Sequence, residues 1–279
     1  MAQNFARPVI GAEEANALIR QKLTSNLPFL AGRMGSTELQ VASSFLFQGT
    51  WTDQTRYFAS NNTGINPITD QNLLNFSIHF LDCVREMDIM ATWDVQHYDN
   101  ITNLFAAKAE LIPLRGIEPY YYPTVPWSEM LAGKRVLVVH PFEDSIKKQY
   151  ARKNELFRGT NILPDFQLLT IKAEQTLGAV NTDYFECLKI MQDKVYNTEF
   201  DVAIVGCGGY GLALGAFIKS AKRRTCIHMG GAVQILFGIM GNRWLENEEI
   251  MAFHNPSWTR PTQAETPANS KAVENACYW

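Results

Sequence analysis

Four stretches of this chain bring together residue types that can do chemistry at one place. The first is FDVAIVGCGGYG (200–211), an apolar run that enters Gly206-x-Gly208-x-x-Gly211, with Tyr210 inside the loop and a small-residue helix expected over 212–220. Glycines at this spacing let the backbone turn tightly and approach a phosphate at the positive end of a helix. They would equally serve close packing of strand on helix. A dinucleotide site also wants an acid about 20 residues further on to hold the ribose. The next apolar run ends instead in His228-Met229-Gly230-Gly231 and is expected to open a second helix there. His228 could donate to a phosphate or a sugar hydroxyl, or bond to backbone.

The third stretch is AGRMGSTEL (31–39). Arg33 follows a short apolar strand and needs an anionic partner, for which a diphosphate or an internal carboxylate would each serve. Gly35 supplies a turn, Ser36 is expected to cap a helix, and Glu38 falls in its first turn, where a carboxylate suits the dipole. In the fourth, VVHPFEDSIKKQY (138–150), His140 ends an apolar strand and a helix with Ser145 and Gln149 follows. The Lys147, Lys148, Arg152 and Lys153 run reads as a solvated face. Asp94, just past the strand at 89–93, is one more carboxylate at a strand end, and its plain role would be a cap.

Short apolar runs and longer amphipathic ones position these residues. Strands are expected at 29–33, 89–93, 111–114, 136–139, 166–171, 202–205 and 225–228, and helices at 12–25, 36–47 and 70–86 as well as in most gaps. The turn-rich NTGINP (62–67) reads as a loop. Strands alternating with helices predict an α/β, Rossmann-like fold, a mostly parallel sheet with helices on both faces. One domain of 279 residues is expected, with EPYYYPTVP (118–126) as an internal seam. The segment after Asn255 should wrap the surface, anchored by Trp258 and the terminal aromatics.

Composition narrows the function classes. Hydrophobic residues make up 46% and charged residues 19%, enough for a sizeable core, and the net charge of −3 speaks against nucleic-acid binding. Five scattered cysteines without a CxxC pair read as reduced thiols, and no run of 18 apolar residues or leader-like start is seen. The expected compartment is therefore the cytoplasm. HExxH, GxSxG and Walker A patterns are absent from the sequence, which leaves hydrolase and P-loop readings without direct support.

Together with HMGGAVQILFGIMGNRW (228–244) and the closing VENACYW (273–279), these stretches resemble a bacterial family associated with surface-polysaccharide synthesis, itself similar to glycosyltransferases of the GT-D fold. The resemblance spans nearly the whole chain and is most specific in its C-terminal half. Its tie to GT-D enzymes rests on Arg33-x-Gly35-x-x-Glu38. The metal-dependent members carry Arg-x-Gly-Asp-x-Glu there, and Ser36 stands at the Asp position. The resemblance implies transfer of a sugar from a nucleotide diphosphate sugar, such as a UDP-sugar, to a glycan or lipid-linked acceptor. It implies donor contacts at Arg33, Gly35, Ser36, Gly206, Gly208, Tyr210, Gly211, His228, Gly230 and Gly231, and Glu38, Asp94 or His140 as the group that takes the acceptor's proton. A divalent metal is allowed but not required, because a hydroxyl is a poor substitute for a carboxylate at a hard cation. Work at the inner face of the membrane, beside other polysaccharide-assembly proteins, fits the same reading. An NAD(P)-dependent oxidoreductase and a non-catalytic sugar-binding or scaffold protein are the alternatives.

Overall fold

Apolar runs of three to six residues, buried on both faces in the inner strands, are what a parallel sheet sandwiched between helices requires. In the computed structural model, which describes residues 5–279 apart from 26, 175, 180, 269 and 274, these runs form seven strands. They are β1 (Leu30–Gly32), β2 (Ile89–Thr92), β3 (Glu110–Pro113), β4 (Arg135–His140), β5 (Gln167–Lys172), β6 (Val202–Val205) and β7 (Thr225–His228). The described strands make one sheet in the order β3-β2-β1-β7-β6-β4-β5. Every pairing is parallel, so all carboxyl ends open on the same edge.

Successive strand residues point to opposite faces. Leu30, Met90, Leu137, Val139, Val205 and Cys226 pack into one buried layer, covered by the helices Ser36–Gln48, Asp70–Arg85, Tyr184–Tyr196 and Gly211–Ser220. Ala31, Ile89, Ala91, Val138, Ile204 and Ile227 face the other layer, which the helix Ala12–Thr24 and much of the C-terminal third complete. The fold is the α/β, Rossmann-like arrangement expected, with helices on both faces. Strands from both sides of 118–126 share the sheet, since β1 pairs with β7. That segment itself is irregular, with a 3-10 turn at Pro119–Tyr121.

Some local expectations need correction. No long helix opens at Gly230-Gly231: a 3-10 turn, Gly230–Ala232, leads into only four α-helical residues, Val233–Leu236, before Gly238 turns the chain away at φ 61°. Ser36 is not the cap of its helix. Gly35 holds that position without a side-chain bond, and Ser36 is the first helical residue. Asn62 and Thr63, expected in a loop, close a π-helical turn, Ala59–Thr63. The terminal aromatics do more than anchor a surface segment. Trp258 and Trp279 are buried and donate their indole N–H groups to Leu156 O and Glu265 O at 3.1 and 3.0 Å. Among the described residues no helix is long and apolar enough to cross a membrane.

Candidate functional site

Outside the carboxyl ends of the strands, where open α/β sheets take their ligands, lies a cavity of about 570 Å³, a volume typical of small-molecule sites. It brings together Arg33, Gly35, Ser36, Glu38, His140, Gly206, Gly208, Tyr210, His228, Gly230 and Gly231. Two expected residues do not join them: Asp94 is exposed and off the lining, and Gly211 sits behind the wall.

β1 delivers Arg33 one residue past its end, half-buried, with the guanidinium carbon 5.3 Å from the centre of the Trp93 ring. The Trp93 indole is itself fixed by donating to Met34 O at 3.0 Å. Among the described residues Arg33 has no ion pair. No carboxylate among the described residues lies within ion-pair distance of it, and the buried Glu118, on the same cavity wall, acts on it only from further off. Gly230 makes room for the guanidinium. Its φ of 59° is one that side-chain-bearing residues avoid, and a Cβ there would come within 2.6 Å of Arg33 Nη2.

The two histidines face the cavity in opposite hydrogen-bonding senses. The Phe142 backbone N–H donates to His140 Nδ1 at 3.0 Å, which assigns the His140 proton to Nε2. His228 Nδ1 lies 3.2 Å from Val205 O, a pure acceptor, so there the proton is on Nδ1 and Nε2 is left to accept. Both rings are nearly inaccessible, 3% and 6% exposed. Burial pushes His140 down to about 3, only partly opposed by Glu265. Burial and then the nearby Arg33 push His228 down to about 4, against the Val205 carbonyl. Both features count against His140 as the group that takes a proton and suit its Nε2–H to donating. The His228 ring also accounts for Gly211, because a Cβ at 211 would lie 2.0 Å from its Cε1.

Glu38 lies in the first turn of its helix, with its carboxylate folded back over Gly35. Among the described residues no group of three or more His, Cys, Asp or Glu gathers where it could hold a metal ion. Ser36 and Glu38 alone make one hydroxyl and one carboxylate. Ser145 and Gln149 are structural. Ser145 N donates to Glu265 Oε1 at 2.9 Å, and the Gln149 amide donates to Gly238 O and Ser257 O at 3.2 and 3.0 Å. Lys147 pairs with Glu143 and Lys153 with Asp165, at 2.9 Å each.

Several lining residues escaped the sequence reading. Arg115 and Arg243 line the cavity with their guanidinium carbons 4.6 and 4.7 Å from the ring centres of Tyr121 and Tyr278. Three arginines, counting Arg33, are thus each laid on an aromatic ring. Glu118, 9% exposed, accepts from the Tyr120 hydroxyl at 2.9 Å. Burial pushes its carboxyl up to about 7, held back by Tyr120 and by Arg33, Arg115 and Arg243 in that order. The one available signal was a carboxylate embedded in the aromatic run EPYYYPTVP. From the closing VENACYW, Val273, Tyr278 and Trp279 form part of the wall, while Glu274 lies outside the described residues.

No protein-family model and no curated protein matches the chain. Among solved structures it is similar to the selenomethionine-substituted structure of domain of unknown function 1792 (DUF1792), at 11% identity over 92% of this chain and 92% of that chain, with a TM-score of 0.44. So loose a likeness carries no argument about fold or activity. The site has to be read from its own chemistry.

Proposed function

We propose that this protein is a glycosyltransferase that binds a nucleoside diphosphate sugar, such as a UDP-sugar, in the cavity at the carboxyl edge of its sheet. The observation that carries the reading is Arg33, a half-buried cation oriented by Trp93, without an ion-pair partner among the described residues, and opening on a cavity of nucleotide size. A diphosphate places an anion within direct reach of Arg33, and its charge grows as the sugar leaves. Groups fixed in advance toward that developing charge lower the barrier most. Arg33 and the His140 Nε2–H are the two that stand ready, beside the loop of Gly206, Gly208 and Tyr210.

Of the three groups expected to take the acceptor's proton, Glu38 alone reaches the cavity as a carboxylate. It is the proposed base, acting on a hydroxyl of a glycan or lipid-linked acceptor in surface-polysaccharide synthesis. Nothing favours the oxidoreductase reading, because the end of β7, where a ribose-binding acid would stand, carries His228. The test is a thermal-stability screen against UDP, GDP, CMP and NAD(P), followed by titration calorimetry, since a ligand that binds only the folded state raises the midpoint. A rise with a nucleoside diphosphate and none with NAD(P) supports the proposal. The reverse pattern overturns it.

A further inference from the structure

Three arginines and one buried acid, Glu118, line the same cavity. Arg33 comes from the end of β1, Arg115 from the turn after β3, and Arg243 from the 3-10 turn Asn242–Trp244, and all three act electrostatically on Glu118. Arg115 also pairs with Glu249 at 2.9 Å, a partly exposed bridge. From its own segment Glu118 meets the Tyr120 hydroxyl, and it weighs on the Tyr121 and Tyr122 hydroxyls. The carboxylate of Glu118 offsets part of the guanidinium charge.

A diphosphate changes that balance. It brings negative charge into the same poorly solvated cluster, where like charges repel far more than in water. Arg33 turns its field to the phosphate, and a carboxylate left beside two phosphates is the least stable member of the group. Protonation removes the repulsion and converts Glu118 from an acceptor into a donor.

We infer that Glu118 enters the donor complex as a neutral carboxylic acid, a binding residue that gives a hydrogen bond to the phosphate oxygens held by Arg33. This rests on the donor reading above. The proton comes from solvent, so donor binding takes up protons. The sign follows from linkage: an acid whose pKa is higher in the complex than in the free protein favours binding at low pH, and affinity falls as pH rises through the free-protein value. That value lies at about 7.

The test is titration calorimetry with UDP-glucose and GDP-mannose, whose diphosphates carry no proton that titrates near neutrality. Each is measured from about pH 6 to about pH 8.5 in buffers of differing ionisation enthalpy. The wild-type protein should take up most of one proton at about pH 8 and lose about tenfold in affinity across the range. E118Q, which mimics the neutral acid, should bind with pH-independent affinity and no proton uptake. Binding without uptake in the wild type overturns the inference and leaves the donor reading intact. Uptake that persists in E118Q also overturns it, moving the proton to His228 or His140. Failure of both nucleotide sugars to bind would overturn the donor reading and this inference together. The buffer series on the wild type decides the matter even if E118Q does not fold.

Discussion

Replacing Arg33 with Ala separates the ligand role of this arginine from any role in the fold. On the ligand side the variant loses charge-assisted hydrogen bonds worth about 1.5–3 kcal/mol, which is roughly 10- to 150-fold in Kd. On the stability side little is at stake, because Arg33 has no ion pair among the described residues and its one aromatic contact is the Trp93 ring at 5.3 Å. A cation–π contact at a partly exposed site contributes about 0.5–1 kcal/mol, so the midpoint should fall by no more than about 2–4 °C. Arg33→Lys keeps a point charge without the planar fork and should fall between the two proteins in affinity. Calorimetry with UDP, alongside thermal denaturation of the same preparations, reads both quantities. A folded Arg33→Ala protein that binds UDP as tightly as the wild type would refute the assignment of the diphosphate to this residue.

Three further outcomes are expected. Sugar transfer, or donor hydrolysis where the acceptor is unknown, should continue in excess EDTA, because Ser36 and Glu38 offer a cation only one carboxylate; complete loss restored by Mn²⁺ or Mg²⁺ would show a metal site, and Ser36→Asp should gain metal binding. Gly211→Ala drives a methyl group into the buried His228 ring and should cost about 1–3 kcal/mol in urea denaturation; an unchanged midpoint would mean the ring moves freely. Glu265 is buried, which alone would raise its pKa, but bonds from Ser145 and Thr262 outweigh this and hold it below the usual carboxylate range. Its contribution to stability is therefore complete above the unfolded value and lost as pH falls through the lower folded one, so Glu265→Gln should narrow the difference between neutral and acidic urea midpoints.

Elements whose signals are local could be found in the sequence. Val202–Val205 and Thr225–His228 appear at the expected limits, because a short apolar run with β-branched residues stops at a glycine in one case and at His228 before paired glycines in the other. Arg33 could be singled out because a cation at the end of an apolar strand is itself a mismatch. What depends on distant neighbours could not be read. Gly211 has the spacing of a phosphate loop, yet its wall is the His228 ring, brought there by the Val205–His228 register of β6 and β7. Glu118 is raised by burial under the folded chain, an effect that Tyr120 and then Arg33, Arg115 and Arg243, from three separate segments, only partly oppose. His140 and His228 look alike as strand-end histidines, and only their backbone partners make one a donor and the other an acceptor.

The pairing of β1 with β7 has a consequence for how the molecule is made. Leu30 and Cys226 are register partners, although roughly two hundred residues of chain lie between them. A ribosome adding about 5–20 residues per second needs roughly 10–40 seconds to cover that distance. Throughout that interval one flank of a fully buried strand has no mate. A nascent chain holding β1, β2 and β3 therefore carries an unsatisfied edge that invites pairing with other chains. Fragments truncated before residue 225 should aggregate in cells, or be found with chaperones that shield such edges. Because Arg33 follows β1 and His228 closes β7, the cavity takes shape only when that late partner docks, so partly made protein lacks the site.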